Sequence, residues 1–178
     1  MAIPQLSESG MSLDELFKLL QQGLDPDTMA SEKGTLLHYA AAEGAVDAIR
    51  LLVHHGATLD FPDMLSGNTP LHLAAGLRQL AACRELVALG ANVDARNNSG
   101  TTPLMVAAGM DESGDCVRAL VQAGADIDAL DERGMMHFTL LLHTAIWGQP
   151  RRCWRLVWLC LATHGLMWQE CRPFKLLQ

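Results

Sequence analysis

The side chains best able to bind a metal ion lie near the C-terminus, where Cys153, Cys160, His164 and Cys171 form a cluster of thiol and imidazole groups. Cys160 and His164 are four residues apart, so both side chains could share one face of a helix. The spacing of the four residues fits no standard zinc signature, and the sequence contains no C-x-x-C pair. We therefore predict no metal site, and a metal-binding protein built on this Cys/His tail stays an alternative.

Carboxylates can act as catalytic acids and bases, but here they are spaced too regularly to form a single site. Asp27, Asp60, Asp94 and Asp128 recur at nearly equal intervals, which is typical of turn residues in a repeated unit. The sequence also lacks a phosphate-binding loop, a dinucleotide-binding glycine pattern, an H-E-x-x-H motif and a G-x-S-x-G elbow. We predict a protein that is not an enzyme, with no catalytic residues and no cofactor.

Composition and charge narrow the class of protein further. Of the 178 residues, 49% are apolar and 19% are charged, which is typical of a folded chain. The net charge of −7 disfavours binding to the phosphates of nucleic acids. The sequence shows no secretory signal and no apolar run long enough to cross a membrane. We therefore expect no nucleic-acid partner, no membrane span, and an intracellular location in either the cytoplasm or the nucleus.

Two short phrases recur along the chain with one period. The first phrase, a glycine followed four residues later by an aspartate, begins at Gly23, Gly56, Gly90 and Gly124. The second phrase reads T-L-L-H-Y-A-A, T-P-L-H-L-A-A and T-P-L-M-V-A-A, and begins at Thr35, Thr69 and Thr102. Successive copies of both phrases are 33 or 34 residues apart. The chain is therefore built from repeated units.

Each phrase predicts local structure. Thr followed by Pro is typical of a helix start, because the hydroxyl can cap free N–H groups and Pro loses nothing at the first helical position. A second stretch with apolar residues at helical spacing follows, as in Val46, Ile49 and Leu52. That stretch stops at a glycine, the residue that tolerates the positive φ of a helix end. We predict two helices in each repeat and very little strand.

The period and the T-P-L-H-x-A phrase together resemble the ankyrin-repeat family. The resemblance implies an all-α solenoid of antiparallel helix pairs, with a β-turn finger between successive pairs. It covers an array over residues 12–134, which we divide into a half repeat at 12–30 and repeats at about 31–63, 64–97 and 98–131. Residues 135–178 would then form a degenerate fourth repeat and an atypical Trp/Cys-rich tail.

The resemblance also assigns roles to single residues. His38, His72 and His143 hold the family's His position, where the ring normally bonds neighbouring backbone at a helix start. In the third repeat Met105 takes this position. The resemblance therefore implies a structural role for these histidines, not a catalytic or metal-binding one.

One finger departs from the repeated pattern. Between Asp63 and Gly67 it contains one residue more than the other fingers. If the repeat geometry holds, Met64 and Leu65 point outward into water without a reason in folding. Exposed apolar side chains of this kind are typical of an interface, so we predict that this finger contacts a partner.

Ankyrin repeats typically bind protein partners on their concave side, so the resemblance implies a non-enzymatic protein–protein interaction scaffold. The candidate contacts are the residues of the fingers and of the short-helix ends that vary between copies: Ser31, Glu32, Glu43, Met64, Leu65, Asn68, Leu77, Arg78, Asn98, Ser99, Thr101, Met110, Asp111, Glu132 and Arg133. The acidity of the array favours a partner with basic patches. The alternative is a regulatory module or fragment of a larger assembly, whose function lies in a separate chain.

The tail predicts a difference in self-association. All four Trp lie at or beyond Trp147. The large apolar side chains of the tail cannot all face one final helix-pair interface, and they are Trp154, Trp158, Leu159, Trp168 and Phe174. We expect the exposed remainder to drive self-association or partner contact. Light scattering should show larger species for the full chain than for a chain ending near Asp131. Equal, monomeric scattering from both chains would contradict this expectation.

Overall fold

The computed structural model describes residues 13–31, 34–110 and 114–132, with only the backbone given for Ser31. The predicted fourth repeat and the tail lie outside these ranges. The described helices are α1 (Leu13–Gln21), α2 (Leu36–Glu43), α3 (Val46–His54), α4 (Pro70–Gly76), α5 (Leu80–Ala88), α6 (Pro103–Met110) and α7 (Asp115–Gln122). Two short antiparallel strands, β1 (Met29–Ser31) and β2 (Gly34–Thr35), form the first finger.

The helices pack as stacked pairs. Helix α2 packs on α3, α4 on α5 and α6 on α7, while α1 packs on α3. We call α2, α4 and α6 the first helices and α1, α3, α5 and α7 the second helices. The first helices contact one another in chain order, and so do the second helices. The predicted all-α solenoid of helix pairs is confirmed, and the strand within the described ranges is confined to the first finger.

Small residues allow the first helices to lie close together. The alanine pair of each T-P-L-H-x-A-A phrase is buried, as Ala74 and Ala75 show with no exposed surface. Next to this pair, a Cβ added to Gly76 would lie 3.0 Å from Cγ1 of Val106 on the following first helix. Leu71 and Leu104 are fully buried beside them. Larger side chains in these positions would force the helices apart, since protein interiors are packed without spare volume.

In helices α2 and α4, a buried histidine forms hydrogen bonds with the threonine at the helix start. The backbone N–H of Thr69 donates to Nδ1 of His72 at 3.1 Å, and Oγ1 of Thr69 lies 2.9 Å from the same nitrogen. The other ring nitrogen, Nε2, lies 2.9 Å from the carbonyl oxygen of Thr101 in the next finger. Because a carbonyl only accepts, Nε2 carries the proton and the ring is neutral. His72 thus connects its own helix start to the next repeat.

The same arrangement recurs one repeat earlier. Nδ1 of His38 accepts from the backbone N–H of Thr35 at 3.1 Å, and Nε2 lies 3.0 Å from the carbonyl oxygen of Asn68. Met105 has no ring nitrogen, and there the helix start is closed by Oγ1 of Thr102, which accepts from the N–H of Met105 at 3.4 Å. The structural role implied for His38 and His72 is what the geometry shows, whereas His143 lies outside the described residues.

The recurring aspartates also connect successive repeats. Oδ1 of Asp94 accepts from the backbone N–H of Asp126 at 2.8 Å, and Oδ1 of Asp60 accepts from that of Asn92 at 3.0 Å. Asp27 accepts from both the N–H and the hydroxyl of Thr58. The recurring aspartates stand in turns, as predicted. The sequence did not reveal that the carboxylates of Asp27, Asp60 and Asp94 bond the next repeat.

One residue takes a backbone conformation that usually requires glycine. Arg78, in the turn between α4 and α5, has φ 60°, and in the described residues it is the only non-glycine with positive φ. Gly44 and Gly114 precede the second helices of the neighbouring repeats with φ 74° and 70°. The left-handed region is unfavourable for a side chain with a Cβ. The backbone at Arg78 is therefore strained, whereas the turns at Gly44 and Gly114 adopt a similar φ without strain.

The neutral histidines predict that acid weakens the fold. Burial lowers the pKa of His38 and His72 below the usual value of 6.5, against the opposing effects of their carbonyl bonds and of Asp63. A lowered pKa in the folded state gives stability that is complete above about pH 6.5 and is lost as the pH falls through the folded pKa. We expect urea denaturation to give a smaller free energy of unfolding at pH 5.5 than at pH 7.5.

The variant His72→Met provides the control for this experiment, since Met105 occupies the same position in the third repeat. It should lower the free energy of unfolding at pH 7.5 by about 1–3 kcal/mol, because the Thr101 carbonyl and the Thr69 N–H lose their partner. It should also reduce the decrease in the free energy of unfolding between pH 7.5 and pH 5.5. If that decrease were unchanged, residues other than His72 would cause the acid sensitivity.

The strain at Arg78 predicts a stabilising substitution. Arg78→Gly should raise the free energy of unfolding by up to about 1 kcal/mol, as relief of the left-handed strain exceeds the entropy cost of glycine. Gly44→Ala is the matched opposite change, since it adds a Cβ at φ 74° and 2.5 Å from Oε1 of Gln79, and it should destabilise. Thermal and urea denaturation measure both. Destabilisation by Arg78→Gly would show that its side chain stabilises the turn.

Candidate protein-binding face

The finger over residues 63–67 is closed by one carboxylate oxygen of Asp63 and by the backbone of the same residue, whose N–H donates to the carbonyl of Asn68 at 2.8 Å. Oδ1 of Asp63 accepts from the backbone N–H groups of Leu65, Ser66 and Gly67, at 2.9, 2.6 and 3.1 Å. These three bonds fold the additional residue into a tight turn. Met64 and Leu65 are left 74% and 60% exposed, as the sequence analysis expected.

The fingers bond to one another in a row. The backbone N–H of Asn98 donates to the carbonyl of Ser66 at 2.9 Å, and that of Glu132 to the carbonyl of Ser99 at 3.2 Å. Among the candidate contacts, Asn68 also accepts at Oδ1 from Nδ2 of Asn97 at 2.9 Å. Of this candidate set, Asn98, Ser99 and Glu132 are exposed, whereas Asn68 and Thr101 are half-buried and bonded within the array.

The ends of the first helices form a second row. Glu43, Leu77 and Met110 stand at equivalent positions, eight residues after the threonine of each repeat, and all three are exposed. Leu77 is 54% and Met110 62% exposed, which is unusual for large apolar side chains at consecutive positions of one row. Arg78, also exposed, follows Leu77 in the strained turn.

A groove joins the long finger to the first helices. Its volume is about 280 Å³, and it lies between the finger and helices α2 and α4. The lining residues are His38, Tyr39, Ala42, Asp63, Leu65, Ser66, Asn68 and Leu73. Of the candidate contacts, the groove brings Leu65 and Asn68 together, and Met64 is not part of its lining. The ring of His38 is neutral there, since burial lowers its pKa.

Three residues that the sequence analysis did not select belong to this face. Tyr39, Leu73 and Val106 occupy the x position of the T-P-L-H-x-A phrase and are half-buried. Tyr39 and Leu73 line the groove. Variation between the copies could have identified these residues in the sequence. The x position differs in every repeat, whereas the Leu two residues before it and the Ala after it are the same in all three. We call the fingers, these x positions and the first-helix ends the concave face.

Some of the predicted contact residues lie outside the part of the chain that the structure describes. Glu32, Asp111 and Arg133 lie outside the described ranges, and the side chain of Ser31 is not described. The Cys/His cluster of the tail lies outside them as well. Within the described ranges, no group of three or more His, Cys, Asp or Glu side chains is arranged to hold a metal ion. No helix in these ranges has the length and apolar character needed to cross a membrane.

Comparison with known proteins agrees with the geometry. The sequence model described as "Ankyrin repeats (3 copies)" matches residues 5–97, 65–131 and 81–157. The chain is 32% identical over 153 residues to human "Ankyrin repeat and SOCS box protein 6", a match that covers 77% of this chain and 36% of the relative. It is 37% identical over 123 residues to mouse "SH3 and multiple ankyrin repeat domains protein 1", covering 68% of this chain and 6% of the relative.

These matches extend over most of the chain, whereas the chain spans only about a third of the length of the first relatives. Ankyrin repeats generally mediate protein–protein interaction and are generally not catalytic. The stacked helix pairs, the fingers, the buried histidines at the helix starts and the matched sequence model lead to one conclusion: the chain belongs to the ankyrin-repeat family.

Proposed function

We propose that the chain is a non-enzymatic scaffold that binds a protein partner through the concave face. The exposure of Met64 and Leu65 is the observation that supports this most directly. The turn beneath them is closed by Asp63, so neither side chain is needed to fold the finger. Apolar side chains held at the surface by a rigid turn are suited to act as anchors in an interface.

The neighbouring first-helix ends extend this apolar surface. Leu77 directly follows α4 and Met110 is the last residue of α6. Because these two helices pack on each other, the two exposed side chains lie on adjacent repeats. A partner that crosses the repeats would contact them in succession. This arrangement supports a partner that follows the row of first-helix ends.

Charge supports a partner with basic patches. Residues 1–146 contain eight Lys and Arg but nineteen Asp and Glu. Opposite charge on the partner accelerates association and opposes wrong partners, and its effect decreases as salt rises. We therefore expect binding to weaken at high ionic strength.

The alternative that the array is a regulatory module of a larger assembly has one observation in its favour. The relatives' names combine ankyrin repeats with a SOCS box or with SH3, and this chain covers only 36% or 6% of their lengths. In that case the array would recruit the partner and another chain would act on it. Affinity purification of the full chain from its native cell, followed by mass spectrometry, would identify both kinds of protein. Metal analysis of the purified full chain tests the remaining alternative, a metal site in the Cys/His tail.

The finger anchors predict a separation of binding from stability. Once a partner is identified, Met64→Ser with Leu65→Ser should weaken its affinity at least about tenfold, or about 1.4 kcal/mol, because two anchors are lost. The melting temperature should stay within a few degrees, since both side chains are exposed. Calorimetric titration and thermal denaturation measure the two effects.

Leu13→Ser with Val121→Ser is the matched control. These side chains are 44% and 41% exposed, but they lie on the second helices α1 and α7, away from the fingers. The control should bind the partner as the parent does. Unchanged binding by the finger variant would exclude the finger from the interface, and a far lower melting temperature would show that its side chains support the core.

A further inference from the structure

The two carboxylate oxygens of Asp63 have different surroundings. Oδ1 accepts the three N–H bonds that close the finger, whereas Oδ2 accepts none from the residues that the structure describes. The residue is only 8% exposed, yet Oδ2 is not sealed from solvent. Asp63 is one of the residues that line the groove.

The neighbouring finger shows that the turn does not need the negative charge. Asn97 stands three residues after Asp94, as Asp63 stands three residues after Asp60. Oδ1 of Asn97 accepts from the backbone N–H groups of Ser99 and Thr101 at 3.0 Å each. An amide oxygen therefore does in that finger what Oδ1 of Asp63 does in its own.

The described residues around Asp63 contribute hydrogen-bond donors to its carboxylate but no cation. Moving a carboxylate out of water opposes folding unless a cation or several donors compensate. Neither of the ion pairs found within the described residues involves Asp63. The nearby imidazoles of His38 and His72 are neutral because burial lowers their pKa. The three N–H donors of the finger stabilise the carboxylate of Asp63 through Oδ1, while Oδ2 keeps its capacity to accept hydrogen bonds.

The walls of the groove define what kind of group would meet this charge. Tyr39, Ala42, Leu65 and Leu73 contribute an aromatic ring and aliphatic surface beside the carboxylate. Arginine combines a long aliphatic stem with a weakly hydrated, planar cation that stacks on aromatic rings. Lysine offers the charge but keeps its water more strongly.

We propose that the groove binds an arginine side chain of the protein partner. The stem packs between Leu65 and Leu73, and the guanidinium donates to Oδ2 of Asp63 beside the ring of Tyr39. This inference rests on the proposed function, because it requires a protein partner on the concave face. It gives that partner a specific chemistry, and the acidity of the array agrees with it.

Peptide pools test the proposal without knowledge of the partner. The immobilised full chain is exposed to four pools of short acetylated peptides, with Arg, Lys, Leu or Glu fixed at the centre and all other positions mixed. We expect about tenfold more retention of the Arg pool than of the Leu or Glu pool, with the Lys pool between them. Raised salt should reduce the preference for Arg.

The variant Asp63→Asn tests the negative charge of Asp63 separately from its role in the turn. It keeps Oδ1 for the turn and replaces Oδ2 with a donor, as Asn97 shows to be compatible with a finger. The Arg preference should disappear while the melting temperature stays within a few degrees. Asp47→Asn, at an exposed carboxylate on α3, changes the net charge equally and should leave the preference intact.

A second variant covers the case in which Asp63→Asn unfolds. Ala42→Lys leaves the finger unchanged and places a cation of the chain itself at the groove wall, so it should also abolish retention of the Arg pool. Loss of the Arg preference in both groove variants, but not in Asp47→Asn, supports the proposal.

Other outcomes separate this inference from the proposed function. Equal retention of the Arg pool by the parent and by Asp63→Asn would overturn it, and so would preference for the Leu pool. The absence of any preference would overturn it too. In each case the proposed function stands if Met64→Ser with Leu65→Ser still weakens partner binding, and it fails separately if that variant binds normally.

Discussion

The array depends on a hydrogen bond from a buried, neutral imidazole to a backbone carbonyl of the next finger. In His72 the bond runs from Nε2 to Thr101, and in His38 from Nε2 to Asn68. Because the other ring nitrogen accepts from the helix-start threonine, the ring can adopt only one tautomer. These two bonds fix the fingers that contain Asn68 and Thr101 relative to the helix pairs before them. The groove beneath the long finger exists because the His38 bond holds the base of that finger against α2.

Local features of the sequence predicted most of the described fold. The helices α2 and α4 begin after Thr35 and Thr69, and Gly56 and Gly90 follow the ends of α3 and α5, because capping and positive φ are decided by near neighbours. The outward position of Met64 and Leu65 followed from counting residues in the finger. Contacts between residues about one repeat apart could not be read, since stacking alone sets them. The hydrogen bond that Asp60 accepts from the N–H of Asn92 is of this kind. The left-handed turn at Arg78 was missed for a different reason, because positive φ is expected at glycine and not at arginine.

The candidate site was predicted in part for the same reason. Exposed positions on fingers and helix ends were found because they vary between copies. Tyr39 and Leu73 were missed because half-buried residues on a helix resemble core residues in a single sequence. The unequal oxygens of Asp63 could be seen only in three dimensions, since the sequence shows an Asp and an Asn at matching positions and not which atoms they use. One oxygen of the Asp63 carboxylate is used in the turn, and the other is the oxygen to which we propose that an arginine donates.

Met105 has a consequence for the coupling between repeats. Repeat proteins behave as one-dimensional chains of units, whose stability is the sum of each unit's own term and its nearest-neighbour couplings. The first two full repeats contribute an imidazole bond to their coupling with the next unit, and the third contributes none, because a thioether has no N–H to donate. Among the described repeats, the first two are therefore the ones whose coupling to the next unit includes this bond. The long finger lies between these two repeats, so it is held by a coupling that the imidazole strengthens.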